Sequence, residues 1–268
     1  MGSGASYELL CFSAFLIAVY GISRMGKRDK AKAERLLAVL LVGLFFGVGW
    51  EPQGTGLVWR YPGYRIYAFM DIPLALLLSW SWWMVVCRLV ADGIEGSLGR
   101  IMARKHGLTP VAATYVTGAL VALVIEPLSV AFGWWDYLVV GERAALHFPI
   151  LGVSFNLTVI VGWGMLTTLN LALSGRAGML ASKIEGESDL GYLGSLGLVS
   201  ACFGLFSGWL SWQLAGFFAA FVEGAAPRLF FTRHYIFILE GVTSGQLLGL
   251  LIATSASCYY LWSRRVRA

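Results

Sequence analysis

Seven stretches, each close to twenty residues long and almost wholly apolar, take up most of this chain and leave it few ways to fold. They run roughly over residues 7–23, 36–51, 67–90, 108–134, 150–173, 192–217 and 235–262. About 20 apolar residues in a helix span the hydrocarbon core of a bilayer. Spanning β-strands would be shorter and would alternate polar with apolar residues, which these stretches do not. Composition agrees, because only 13% of residues are charged, whereas a soluble protein is nearer one quarter. The expected fold is an all-α polytopic membrane protein with seven transmembrane helices. It forms a single membrane-embedded helical domain over residues 1–268, multi-pass in the cell membrane.

Loop charge sets the expected orientation. Fifteen Lys and Arg fall on one side of the seven spans, six of them in the first connection, and five fall on the other: Arg60, Arg65, Arg143, Arg228 and Arg233. Positive loops stay inside, so the N-terminus is expected outside and the C-terminus in the cytoplasm. The net charge of +5 then reflects topology and contact with anionic membrane lipid, and it makes no case for nucleic acid.

Against this frame a few polar residues stand out by depth. Glu126 lies in the outer half of the fourth expected span, inside VIEPLSVAFGWWDY. Asp71 is expected a turn inside the third, Asn156 near the outer end of the fifth and Glu240 just inside the seventh. Glu51 closes the second, where it also fits the headgroup level. An ionisable side chain in a bilayer is costly and marks a functional site or a partner. Several at one depth predict a polar pocket near the outer leaflet. Glu51-Pro52, Asp71-Ile72-Pro73 and Glu126-Pro127 each put a carboxylate beside a helix bend.

A short internal echo joins two of these places. Glu51-Pro52 is followed eight residues after the Glu by Trp59-Arg60-Tyr61, and Glu126-Pro127 eight residues after by Trp134-Trp135-Asp136-Tyr137. Aromatic residues crowd the same zone, Tyr64, Tyr67, Trp134 and Trp135 among them, with Trp80 deeper in the third span. Some belong to an interfacial belt. Others would present π faces, which stabilise cations.

Several chemistries are excluded. All five lysines lie outside the expected spans, so none can hold retinal as a Schiff base. The three histidines are isolated, the four cysteines form no CxxC pair, and no Asp-rich or Gly-rich phosphate motif occurs. No metal site and no cofactor is expected. Acid–base chemistry on an apolar substrate remains. Desolvation disfavours a carboxylate anion, so a carboxyl group in a dry pocket can act as a general acid.

The order of motifs resembles the membrane carotenoid-biosynthesis proteins that include the carotenoid hydratase of the bacterioruberin and γ-carotene pathways. The residues that carry it are Glu51 before a Gly/Tyr-rich loop, then IPLALLLSWSW, EPLSVAFGWWDY and GVSFNLTVIVGW. Ser154 departs from the family pattern, where a proline is expected. The small integral-membrane terpene and carotene cyclases are also similar in character. The resemblance implies an enzyme that protonates a C=C bond of a lipophilic carotenoid or other isoprenoid and adds water, or closes a ring by the same first step. A proton-coupled transporter or sensor is the reading from another class. Glu126 and Asp71 are then expected as proton donor and paired carboxylate, with Glu51 and Glu240 in support. Asn156 would hold water or a carboxyl group. Trp134, Trp135, Tyr64, Tyr67 and Trp80 would line the substrate site. Self-association as a homo-oligomer is compatible with the sequence.

Overall fold

The computed structural model describes residues 3–56, 58–69, 71–101, 109–138, 145–149, 151–184 and 189–223. Among these residues the chain forms six helices: α1 (Ser3–Gly26), α2 (Lys30–Gly54), α3 (Leu74–Ile101), α4 (Thr109–Ala131), α5 (Leu157–Ile184) and α6 (Asp189–Glu223). Five of them are long and apolar enough to cross a membrane, with α5 outside that set. The protein is thus a helical, membrane-embedded one. The expected seventh span, 235–262, lies outside the described residues.

Among the described residues, six short strands pair into three antiparallel ribbons. β2 (Tyr67–Phe69) pairs with β3 (Ile72–Pro73), and β5 (Ala145–Phe148) with β6 (Val153–Asn156). The third joins β1 (Trp59–Arg60) to β4 (Asp136–Tyr137) across a long sequence gap. These ribbons correct two expected boundaries. Helix α3 begins at Leu74 and not at 67, and α5 at Leu157 and not at 150, because the residues before each are strand. Both hairpins are apolar enough to extend a hydropathy run, and apolarity alone does not separate strand from helix. Helix α4 stops at Ala131, short of Trp134. Gly133 takes φ 63, and the Trp134 and Gly133 amides donate to the Ser129 and Val130 carbonyls at 2.8 and 3.0 Å, which closes the helix as a Schellman turn.

The order helix–strand–hairpin–helix occurs twice, as α2–β1–β2–β3–α3 and α4–β4–β5–β6–α5. The packing repeats with it. Gly43 is eight residues before Glu51, and a Cβ there would sit 2.7 Å from the Trp80 carbonyl oxygen; Gly118 is eight before Glu126, and a Cβ there would sit 2.5 Å from the Trp163 carbonyl oxygen. Each unit therefore seats its first helix on its second at the same point. The β1–β4 ribbon joins the units, with Arg60 opposite Asp136 and their side chains in an ion pair at 2.9 Å. Helix α6 packs on α2 and α5, while α1 packs on α3 and α2. The core between the units is rich in aromatic residues, among them Phe46, Trp50, Trp80 and Trp163.

Candidate functional site

Two carboxylates sit at the heart of this arrangement, one from each unit. Glu51 is 2% exposed and Glu126 3%. Each is held by three donors of the same kinds. Glu51 Oε1 accepts from Trp80 Nε1 at 2.6 Å, and its Oε2 accepts from the Tyr61 hydroxyl at 2.5 Å and Trp59 Nε1 at 3.2 Å. Glu126 Oε1 accepts from Trp163 Nε1 at 2.7 Å, and its Oε2 accepts from the Tyr137 hydroxyl at 2.6 Å and Trp135 Nε1 at 3.2 Å. Moving a carboxylate out of water costs several kcal/mol, and a hydrogen bond to a charged group returns about 1.5–3 kcal/mol. Three donors apiece make burial of these groups tolerable.

Local sequence explains how the donors reach. In an extended strand alternate side chains face one way. Trp59 and Tyr61 thus turn toward Glu51 while Arg60 turns out, and Trp135 and Tyr137 turn toward Glu126 while Asp136 turns out. Helix α2 ends at Gly54, and the Thr55 hydroxyl and amide both donate to the Glu51 carbonyl, at 2.8 and 3.1 Å. Any Cβ at Gly54 would run into the Trp59 indole ring, so glycine there lets Trp59 fold back over the helix end. The second donor strand comes one residue later after its Glu than the first, and the Schellman turn at Gly133 absorbs the difference. The repeat is real, but Trp59 corresponds to Trp135, not to the Trp134 that the spacing of eight suggested.

Trp80 and Trp163, which serve opposite carboxylates, stack on each other with centroids 4.8 Å apart and 27° between planes. Together with Trp50, Trp83, Trp212 and Tyr7 they border a cavity of about 150 Å³ onto which both Glu51 and Glu126 open. A single water needs roughly 10–15 Å³, so a branched hydrocarbon group fits. The only hydroxyl among its described walls apart from the tyrosines is Ser79, which already donates to the Leu76 carbonyl at 2.7 Å. Burial, and then the adjoining carboxylate, push the Tyr61 and Tyr137 phenols well above their usual range. Both therefore stay protonated, and a phenol O–H can donate or accept.

The expected site residues divide. Glu51, Glu126, Trp80 and Trp135 are brought together at the cavity. Asp71 is not in α3: it is exposed in the turn between β2 and β3, with φ 57, away from the cavity walls. Proline follows at 73, and the left-handed turn that Asp accepts more readily than most residues ends the hairpin before the helix starts. Tyr67 is 46% exposed on β2. Trp134 is tilted against Tyr7 at 4.7 Å and donates to Ser6 Oγ at 3.3 Å, outside the cavity. Tyr64 is buried behind the site, edge-on to Tyr61 and Tyr7. Asn156 ends β6, paired with Ala145. Glu240 lies outside the described residues. Among the residues that the sequence did not select as site residues, Trp59, Tyr61, Tyr137 and Trp163 complete the cages, and Tyr7, Trp50, Trp83 and Trp212 contribute to the walls. So, from a distance, does Glu8 on α1. It is 6% exposed and accepts from the Arg65 and Ile66 amides at 2.8 Å each, fastening the loop that follows Tyr61.

Among the described residues no cluster of three metal-ligating side chains occurs. Comparison of the chain with family models, with curated proteins and with solved structures finds no match.

Proposed function

We propose that the protein is a membrane enzyme that protonates a C=C bond of a lipophilic isoprenoid, of carotenoid type, and resolves the resulting cation by adding water. The observation that carries this reading is the pair of buried carboxyl groups, each in a cage of two indoles and a phenol, opening on one aromatic cavity. One carboxyl group gives its proton as the alkene π pair forms a C–H bond, which leaves a tertiary cation. The indole and tyrosine faces stabilise that cation. Water then forms a C–O bond and releases a proton to the second carboxylate, so that the site is restored once the two groups exchange a proton through solvent. Glu51 and Glu126 fill both roles, and Asp71 is left out of the machinery.

Ring closure is the second reading, favoured by the dry walls and the committed hydroxyl of Ser79. An internal alkene would capture the cation in place of water, and the second carboxylate would remove a proton from carbon. The protein would act as a seven-span bundle with its N-terminus outside the cell membrane and its C-terminus in the cytoplasm. Lipid would surround it, and self-association is compatible with the reading.

The test is co-expression in cells that make lycopene and its prenylated derivatives, with pigment masses measured for wild type, Glu51→Gln and Glu126→Gln. A gain of one water per modified end, lost in both variants, supports hydration. Unchanged mass with altered absorption supports ring closure. Pigments identical to those of cells lacking the protein refute both and favour a proton-coupled transporter, for which a duplicated unit is a familiar architecture.

A further inference from the structure

A buried carboxylate needs a counter-charge, and the described walls of this cavity supply none. No Lys, Arg or His is among them, and Arg60 is taken up by Asp136 on the exposed face of its ribbon. Two carboxylates therefore meet at one cavity with no cation among its described walls. Protons can fill that role, and so can a ligand.

The donor pattern says which ligand. An ionised carboxylate offers about four lone-pair sites, and three are occupied in each cage. Oε2 takes two donors and Oε1 one. A small hard metal ion, which wants six or more oxygens, finds one unclaimed position per carboxylate. A bulky alkylammonium wants none, because it is held by charge at van der Waals distance and by aromatic faces. Four of the indoles, Trp59, Trp80, Trp135 and Trp163, turn their positive N–H edges to the carboxylates, which removes the repulsive part of each ring's quadrupole from the ligand's side.

We infer that the cavity between Glu51 and Glu126 is a binding site for organic cations of the quaternary-ammonium class. The inference deepens the proposed function, since such an ion is a stable counterpart of the tertiary carbocation, yet binding requires no turnover. It rests on the matched cages, the absence of a cation among the described walls and the aromatic lining.

The experiment uses the purified full-length protein in non-ionic detergent and two probes of the same shape, choline and its uncharged isostere 3,3-dimethylbutan-1-ol. Binding is read by calorimetry and by tryptophan fluorescence. Choline should bind more tightly than the alcohol by about tenfold or more, the scale of a desolvated cation–π contact. That preference should fall in the Glu51→Gln and Glu126→Gln variants. Equal affinity for the two probes in the wild type, or binding of neither, overturns the inference without relying on any variant. A clear preference for choline in a protein that leaves every pigment unchanged supports the inference and removes the isoprenoid chemistry. Pigment conversion without the preference does the reverse.

Discussion

Replacing Trp163 by Phe is a sharp test of the caged carboxylates. The substitution removes one N–H donor, 2.7 Å from Glu126 Oε1, and keeps an aromatic ring in the stack with Trp80. Losing a hydrogen bond to a buried charged group costs about 1.5–3 kcal/mol, and weakening the stack adds about 0.5–1 kcal/mol. A total of about 3 kcal/mol should lower the midpoint of thermal unfolding by roughly 6–12 °C, at 2–4 °C per kcal/mol for a larger domain. The assay is circular dichroism of the helices on heating in a mild detergent. Trp80→Phe removes the matching donor, 2.6 Å from Glu51 Oε1, and should shift the midpoint by a similar amount. A Trp163→Phe protein that unfolds with the wild type, or two variants whose shifts differ severalfold, would refute the equivalence of the cages and the idea that the donors hold buried charge.

Other substitutions probe the surroundings. Gly208→Leu places a Cβ 2.6 Å from the Phe46 carbonyl oxygen, a backbone atom that cannot step aside, so α6 should separate from α2 and the yield of folded protein in detergent should collapse. Asp71→Gly should leave pigment chemistry intact and unfold within a few degrees of the wild type, because Asp71 is exposed and its left-handed φ suits glycine. Raised phenol pKa values mean that the folded state keeps the Tyr61 and Tyr137 protons where the unfolded chain would lose them. Their contribution to stability is therefore present below the usual tyrosine value of about 10 and falls as pH rises past it. A phenolate absorbance titration of Tyr61→Phe should match the wild type until the protein unfolds.

The helical layers were legible because a bilayer sets a length, and α1, α2 and α4 fall close to the expected stretches. The starts of α3 and α5 were not. Residues 67–69, 72–73 and 153–156 adjoin the apolar runs of the helices they precede, and pairing within a hairpin, β2 with β3 and β5 with β6, makes them strand. Glu51 and Glu126 were legible as carboxylates at an unfavourable depth, and depth also suggested Asp71, which the hairpin turns outward. The donors needed a different signal. Trp59, Tyr61, Trp135 and Tyr137 form two Trp-x-Tyr triplets, and the alternation of a strand turns both aromatics of each toward one acceptor. The echo held that information, offset by the residue that the Gly133 turn consumes. Trp80 and Trp163 were harder to pair, because the two hairpins between triplet and helix differ in length: 19 residues separate Tyr61 from Trp80, and 26 separate Tyr137 from Trp163.

The stack of Trp80 on Trp163 has an optical consequence. Two indoles with centroids 4.8 Å apart couple their electronic transitions, and a chiral frame turns that coupling into a paired positive and negative band in circular dichroism. The part of the doublet that this pair contributes belongs to the interface between the two repeated units, beside the part from Trp82 and Trp83, neighbours on α3 with centroids 4.1 Å apart. That part should be lost when either ring of the Trp80–Trp163 stack is replaced, while the helical bands and the signal of Trp82 with Trp83 remain. The protein thus carries its own spectroscopic marker for whether the two halves of the site are in register.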